Sequence, residues 1–314
     1  SRNPDFAVND STTHGFVDLQ VNGYGGVDFN QDGLTPEALH HACDVMRRDG
    51  VTHALATIIT EDLSVMSKRL TRLAELRDRD DLVASVVAGV HLEGPFINET
   101  DGYRGAHPLD AVRPASVEAM AELVEAGQGL VRLVTLAPER DGQAQTTRWL
   151  ADRGILVAAG HCNPSLDELD AALDAGLSLF THLGNGCPMQ MHRHDNIVQR
   201  ALSRADRMRL CFIADGAHVA FFALRNYVRA AGAERCVLVS DAVAPAGLGP
   251  GRYTLGRWEL DIGEDLVARA PDGSHLVGSA LGMSRGYENL YERAGLTRHE
   301  AELLAKFNPA ELLG

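Results

Sequence analysis

VVAGVHLEGP, residues 86–95, decides how the rest of the chain is read. An unbroken apolar run closes on His91 and Glu93, and Gly94 and Pro95 stop it. A short apolar run bounded by turn residues marks a strand buried on both faces. The polar pair at its end puts ionisable groups where such a strand surfaces. The strand spans 86–91, and further runs at 15–21, 51–58, 130–136, 155–159, 178–181, 208–214 and 236–240 share its design, together rich in Val, Ile and Leu. Helix-like stretches separate them. One opens at Thr35, with Pro36 at the first helical position, and stops at Gly50. Ser165 with Glu168, and Thr297 with Glu300, have the spacing of capping boxes.

Strands alternating with helices imply an α/β fold with a parallel sheet, and eight such units imply closure into a (β/α)8 TIM barrel. An open, doubly wound sheet is the competitor. It would carry a glycine-rich phosphate loop after the first strand, whereas Gly23, Gly25 and Gly26 stand in GYGG rather than GxGxxG. Residues 251–272 break the pattern and read as a small β-hairpin insertion after the last strand, so residues 1–314 are expected to form a single catalytic barrel.

The 314 residues are 45% hydrophobic and only 5% aromatic, ample for one large aliphatic core. A net charge of −14 repels phosphate backbones at long range, which argues against nucleic acid as a partner but not against a small anion held by a few local cations. No stretch approaches the ~20 apolar residues that span a bilayer, and the polar start SRNPDFAVND has no apolar leader core, so a cytoplasmic protein without a membrane partner is expected. The five cysteines are odd in number and none lies in a CxxC, which reads as reduced thiols.

Barrels of this kind carry their catalytic groups at the C-terminal ends of the strands. The apolar runs here end on Gln20 and Asn22, His91 and Glu93, His161, His182, Asp215 and His218, and Asp241. Glu93, His161 and His182 offer a carboxylate oxygen and two imidazole nitrogens, a set that binds catalytic zinc and leaves a position open for water. A cation so held polarises a carbonyl and lowers the pKa of water to about 7. Asp241 is then suited to take the water's proton and return it to a leaving amine. Each residue alone has a plainer reading: a hydrogen-bonded core histidine, a glutamate capping its turn, an aspartate capping a helix. Spacing leaves both readings open, and what favours a site is the coincidence of ionisable groups at four strand ends of one polarity. By period-two alternation His91 lies a layer below Glu93 in a supporting role, and Cys162 points away from His161.

The chain resembles the N-acetylglucosamine-6-phosphate deacetylase family of the amidohydrolase superfamily. The segments that carry the resemblance are GFVDLQVNGYGGVDF from Gly15, HLEGPFIN from His91, GAHP from Gly105, GHCNPS from Gly160, THLGN from Thr181, DGAHV from Asp215, SDAVAPAG from Ser240, GSALGM from Gly278 and NPAELLG from Asn308. They span nearly the whole chain in the family's order. The resemblance implies hydrolysis of the N-acetyl amide of an amino-sugar phosphate with one divalent ion per subunit, zinc or another such as Fe2+. It implies Glu93, His161 and His182 as metal ligands, Asp241 as catalytic aspartate and His107 beside the acetyl carbonyl. It implies His218, Asn185, Gly186 and Arg193 as contacts to the sugar or its phosphate, with Arg193 in some relatives donated across a homodimer interface.

Three departures from the family pattern bear on these expectations. Gln20 and Asn22 stand where many amidohydrolases have His-x-His for a second metal, and amides are poor zinc ligands, so one metal is expected. After THLGN the loop carries His194, Asp195 and Asn196 behind Arg193, which puts a negative charge near the expected phosphate. The small β-sandwich usual in the family is expected to be missing. The alternatives are a related amidohydrolase acting on another N-acyl or non-phosphorylated substrate, and a non-catalytic sugar-phosphate-binding barrel.

Overall fold

The eight apolar runs pair side by side, each with the next in sequence and all parallel. The computed structural model describes residues 15–255, 258–269, 276 and 278–314. The strands are β1 (Phe16–Val21), β2 (Val51–Ile59), β3 (Val87–Glu93), β4 (Val131–Leu136), β5 (Leu156–Ala159), β6 (Leu179–Phe180), β7 (Arg209–Phe212) and β8 (Cys236–Leu238). Parallel strands need a crossover between them, and the helical stretches supply it, so the sheet rolls into a barrel wrapped by helices. A parallel bridge from Val21, at the end of β1, to Ala242, beyond β8, joins the two edges of the sheet.

The start signals act as the local chemistry requires. Thr35 caps the helix Pro36–Arg48 by accepting from the Ala38 amide, and both capping boxes form, at Ser165 with Glu168 and at Thr297 with Glu300. The first helix buries Leu39, Ala42, Cys43 and Met46, an i, i+3, i+4, i+7 stripe facing the sheet. Strand residues divide between two apolar layers. Val90, Leu92, Val134, Ile58 and Phe212 face the helices, whereas Leu19, Leu55, Leu133, Leu179, Ile213, Val237 and Val239 fill the barrel interior.

At the N-terminal ends of the strands the interior core meets Ala310, Leu312 and Leu313 of the helix Asn308–Leu313. Arg132 Nη2 donates to Leu313 O at 2.6 Å, Arg209 Nη1 donates to Asn308 O at 3.1 Å, and Asn308 Nδ2 donates to the carbonyls of Ala233 and Cys236. This helix plugs the lower mouth, and chemistry is left to the upper one. Three further strands, β9 (Gly251–Leu255), β10 (Trp258–Ile262) and β11 (Ala268–Arg269), form a separate antiparallel sheet after β8. None of the described helices is long and apolar enough to cross a membrane.

Candidate active site

Glu93 is the last residue of β3, while His161, His182 and Asp241 stand just beyond β5, β6 and β8. The last three share a backbone feature: φ is +50° at His161, +31° at His182 and +47° at Asp241. Left-handed backbone is uncommon for residues other than glycine and costs on the order of 1–3 kcal/mol where it is held. It ends the strand abruptly and turns these side chains over the upper mouth. Small neighbours make room for them. A Cβ on Gly186 would stand 2.9 Å from His161 Nδ1, and one on Gly105 would stand 3.3 Å from its Cε1.

The Glu93 carboxylate is the hub. Its Oε1 lies 2.9 Å from His182 Nε2, 3.2 Å from His161 Nε2 and 3.1 Å from Gln20 Nε2. One ligand atom from each of Glu93, His161 and His182 lies within 4.8 Å of the others, and all three residues are buried. His161 Nδ1 is 2.8 Å from the carbonyl oxygen of Tyr103, an acceptor only, so Nδ1 carries the proton. In the neutral ring the Nε2 lone pair then faces a carboxylate oxygen, an arrangement that a cation between them resolves. This donor set fits a divalent cation with open positions. Burial alone would raise the Glu93 pKa, but the bonds and charges of His161 and His182 outweigh it and hold the carboxyl well below its usual range. Burial likewise disfavours a charged His182, and Glu93 reverses that, raising its pKa.

The other groups gather around this hub. His107 is buried with Nε2 3.3 Å from His161 Nε2, and burial together with the His161 charge drives its pKa down to about 3, so it is a neutral imidazole. Asn22 Nδ2 donates to Asp241 Oδ1 at 2.7 Å, leaving the other carboxylate oxygen open. Burial, reinforced by the Glu93 charge, lifts Asp241 to about 6. His218 is held by Asp215, whose Oδ2 lies 2.6 Å from its Nδ1 and whose Oδ1 accepts from the amides of Ala217 and His218. Asp215 is thereby kept ionised: burial opposes this, and the His218 bond wins.

The remaining sequence candidates lie further out. Asn185 is half-buried and donates from Nδ2 to His182 O at 3.2 Å. Arg193 is exposed and makes no ion pair among the described residues, so it stands apart from the cluster. The negative charge of Asp195 beside it is taken up by Arg200, at 2.6 Å. His91 does lie below the hub, its Nε2 2.7 Å from Thr135 Oγ1, which in turn meets Thr181 Oγ1 at 2.6 Å. Cys162 is buried in the helix-facing layer, away from the site.

Several contributors escaped the sequence reading. The Tyr103 carbonyl sets the His161 tautomer, but no side-chain pattern announces a backbone group. Glu139, after β4, accepts from Asn98 Nδ2 at 2.8 Å and from the Asn163 amide at 2.6 Å, tying two loops of the upper mouth together. Asp215 was visible as a polar strand end, though its hold on His218 was not.

No family model matches the chain. It is 34% identical over 299 residues to the N-acetylgalactosamine-6-phosphate deacetylase of Escherichia coli O157:H7, a match spanning 95% of this chain and 77% of that protein. It is 36% identical over 317 residues to the N-acetylglucosamine-6-phosphate deacetylase of Danio rerio, spanning 96% of this chain and 74% of that one. Among solved structures, a mutant N-acetyl-D-glucosamine-6-phosphate deacetylase of Mycobacterium smegmatis in complex with N-acetyl-D-glucosamine-6-phosphate is similar at a TM-score of 0.84 and 31% identity. That likeness covers 96% of this chain and 77% of the solved one.

Proposed function

The chain belongs to the N-acetylglucosamine-6-phosphate deacetylase family, and from that premise we propose how its own residues divide the work. The reaction is hydrolysis of the N-acetyl amide of N-acetylglucosamine 6-phosphate or a close analogue, releasing acetate and the amino-sugar phosphate. Glu93, His161 and His182 would hold one divalent ion, and the observation that carries this is the convergence of the ligand atoms of these three buried residues within 4.8 Å. The ion, zinc on this donor set with Fe2+ as the alternative, supplies a Lewis acid for the acetyl carbonyl and makes water more acidic. Gln20 steadies Glu93 from behind and leaves the site with one metal rather than two.

Asp241 accepts the proton of the attacking water and delivers it to the departing amine nitrogen, general base first and general acid second. Asn22 engages one carboxylate oxygen of Asp241 and leaves the other for that exchange. His107, neutral at working pH, lies beside the reacting amide and hydrogen-bonds its carbonyl. His218, its Nδ1 engaged by Asp215, turns Nε2 to the sugar, and Asn185 with the backbone of Gly186 lines the same side. Arg193 binds the phosphate as a bidentate donor. Its exposure fits delivery into the site of a second copy, so a homodimer is expected. Five free cysteines accord with a reducing cytoplasm.

A hydrolysis screen over N-acetylated glucosamine and galactosamine, each with and without the 6-phosphate, tests this reading. Much faster acetate release from the phosphorylated sugars is expected, with turnover tracking bound metal. Arg193→Ala is expected to raise KM for phosphorylated substrates alone. Equal loss with unphosphorylated sugars would remove the phosphate assignment, and full activity after exhaustive chelation would remove the metal.

A further inference from the structure

The ladder of strand pairs ends at β1 on one side and β8 on the other, and Asp241 stands in the seam between them. Asp18 of β1 is 1% exposed and faces this seam. Its Oδ1 accepts from the Gln20 amide at 3.2 Å and from the Ser240 amide at 3.1 Å. Ser240 Oγ then donates to Gln20 O at 3.3 Å and accepts from the Ala242 amide at 3.1 Å. On the far side the Asn22 amide donates to Ala242 O at 2.8 Å. Both neighbours of Asp241 are thus gripped by β1, while Asp241 itself holds φ at +47°. A residue stays in that region only where its surroundings over-determine it.

The pairing of β1 with β2 shifts register between Asp18 and Val21, so β1 bulges there. A bulge leaves amides without ladder partners and re-aims side chains. Asp18 takes the Gln20 amide, Thr57 Oγ1 takes the Val21 amide at 3.0 Å, and Gln20 is left facing Glu93. Asp18 makes no ion pair among the described residues, so its contribution is that of an acceptor.

We propose that Asp18 is a positioning residue for the deacetylation: by holding Ser240 across the seam it fixes the turn from which Asp241 reaches the water and the amide. This rests on the reading of Asp241 as the proton carrier. Burial pushes Asp18 up to about 7, so an uncharged acceptor serves as well as a carboxylate. Misplacing a catalytic group by about 1 Å can cost about 100-fold in rate.

The test compares steady-state kinetics and metal content of the metal-loaded enzyme on N-acetylglucosamine 6-phosphate. Asp18→Ala is expected to lower kcat by about 30-fold or more, with KM within about twofold and bound metal unchanged. Asp18→Asn, which keeps the acceptor oxygen, is expected to restore kcat to within about threefold. An unchanged kcat in Asp18→Ala overturns the proposal, as does an equal loss in Asp18→Asn, or a loss that follows metal content. Should Asp18→Ala fail to fold, Ser240→Ala removes the Oγ bridge alone and is expected to lower kcat by about fivefold at constant KM; parental kcat there overturns the clasp. Asp241→Asn separates the two readings. Turnover retained in that variant sinks the proton-carrier role itself, whereas turnover lost there but kept in Asp18→Ala sinks only the positioning role.

Discussion

The upper and lower mouths of the barrel are built from the same eight strands, yet they obey different rules. Below, Leu19, Leu133, Leu179, Val237 and Val239 pack against Leu312 and Leu313, and the polar groups at the rim find partners in Arg132, Arg209 and Asn308. Above, a buried carboxylate draws three nitrogens to one oxygen, and three residues hold left-handed backbone. The lower mouth lowers the free energy of the fold. The upper one stores unfavourable geometry and buried charge that a bound cation and a substrate relieve. The interior core below supplies the rigidity that lets the upper mouth stay so arranged.

The widest test of this contrast is Asp241→Asn, expected to cut kcat by about 1,000-fold or more while leaving bound metal and thermal stability near parental values. A similar kcat with intact metal would show that the upper mouth runs without its proton carrier. Leu133→Ala probes the other end. It is expected to cost about 2–5 kcal/mol in a denaturant titration with kcat unchanged, and a matching fall in kcat would mean the two mouths are not separable. Gly186→Ala should crowd the His161 ring, where φ is +60° and a Cβ would stand 2.9 Å from Nδ1. Metal affinity is expected to drop about 10- to 100-fold, read by competition with a chelator. An affinity equal to the parent's would show that the His161 pocket is loose.

The smallest effect expected is on the pH dependence of stability. Burial raises Asp18 from an ordinary 3.8 to about 7 in the folded chain. The unfolded chain ionises first, so the stability this group contributes is full below about pH 4 and is lost as pH rises through 7. Asp18→Asn cannot ionise and should escape that loss, becoming more stable than the parent above pH 7 by on the order of 2 kcal/mol, with little advantage at pH 4. Parallel stability curves for the two proteins from pH 4 to 8 would show that Asp18 is not penalised by burial.

Apolar periodicity and cap residues were enough to read the strands and their order. β3 was legible because VVAGVHLE is too apolar for a half-exposed strand, and the helix from Pro36 because Thr35 and Pro36 announce it. The metal-capable cluster was legible in part for a related reason: parallel strands all surface at one rim, so polar residues ending separate runs can meet there, and the family resemblance singled out Glu93, His161 and His182 among them. The runs within residues 251–272 read as a β-hairpin, and the structure pairs Gly251–Leu255 with Trp258–Ile262 and adds Ala268–Arg269 as a third strand.

Sequence alone determined the barrel and the residue types at its upper mouth, because alternation, capping and strand polarity are local properties written in neighbouring side chains. Tertiary structure alone decided which nitrogen of His161 is free, why Gly186 must be small, and that Asp18 reaches across to Ser240. Those outcomes depend on backbone carbonyls, on a bulge and on closure between the first and last strands. Each is a distance between atoms far apart in the chain, and no local pattern of residues encodes it.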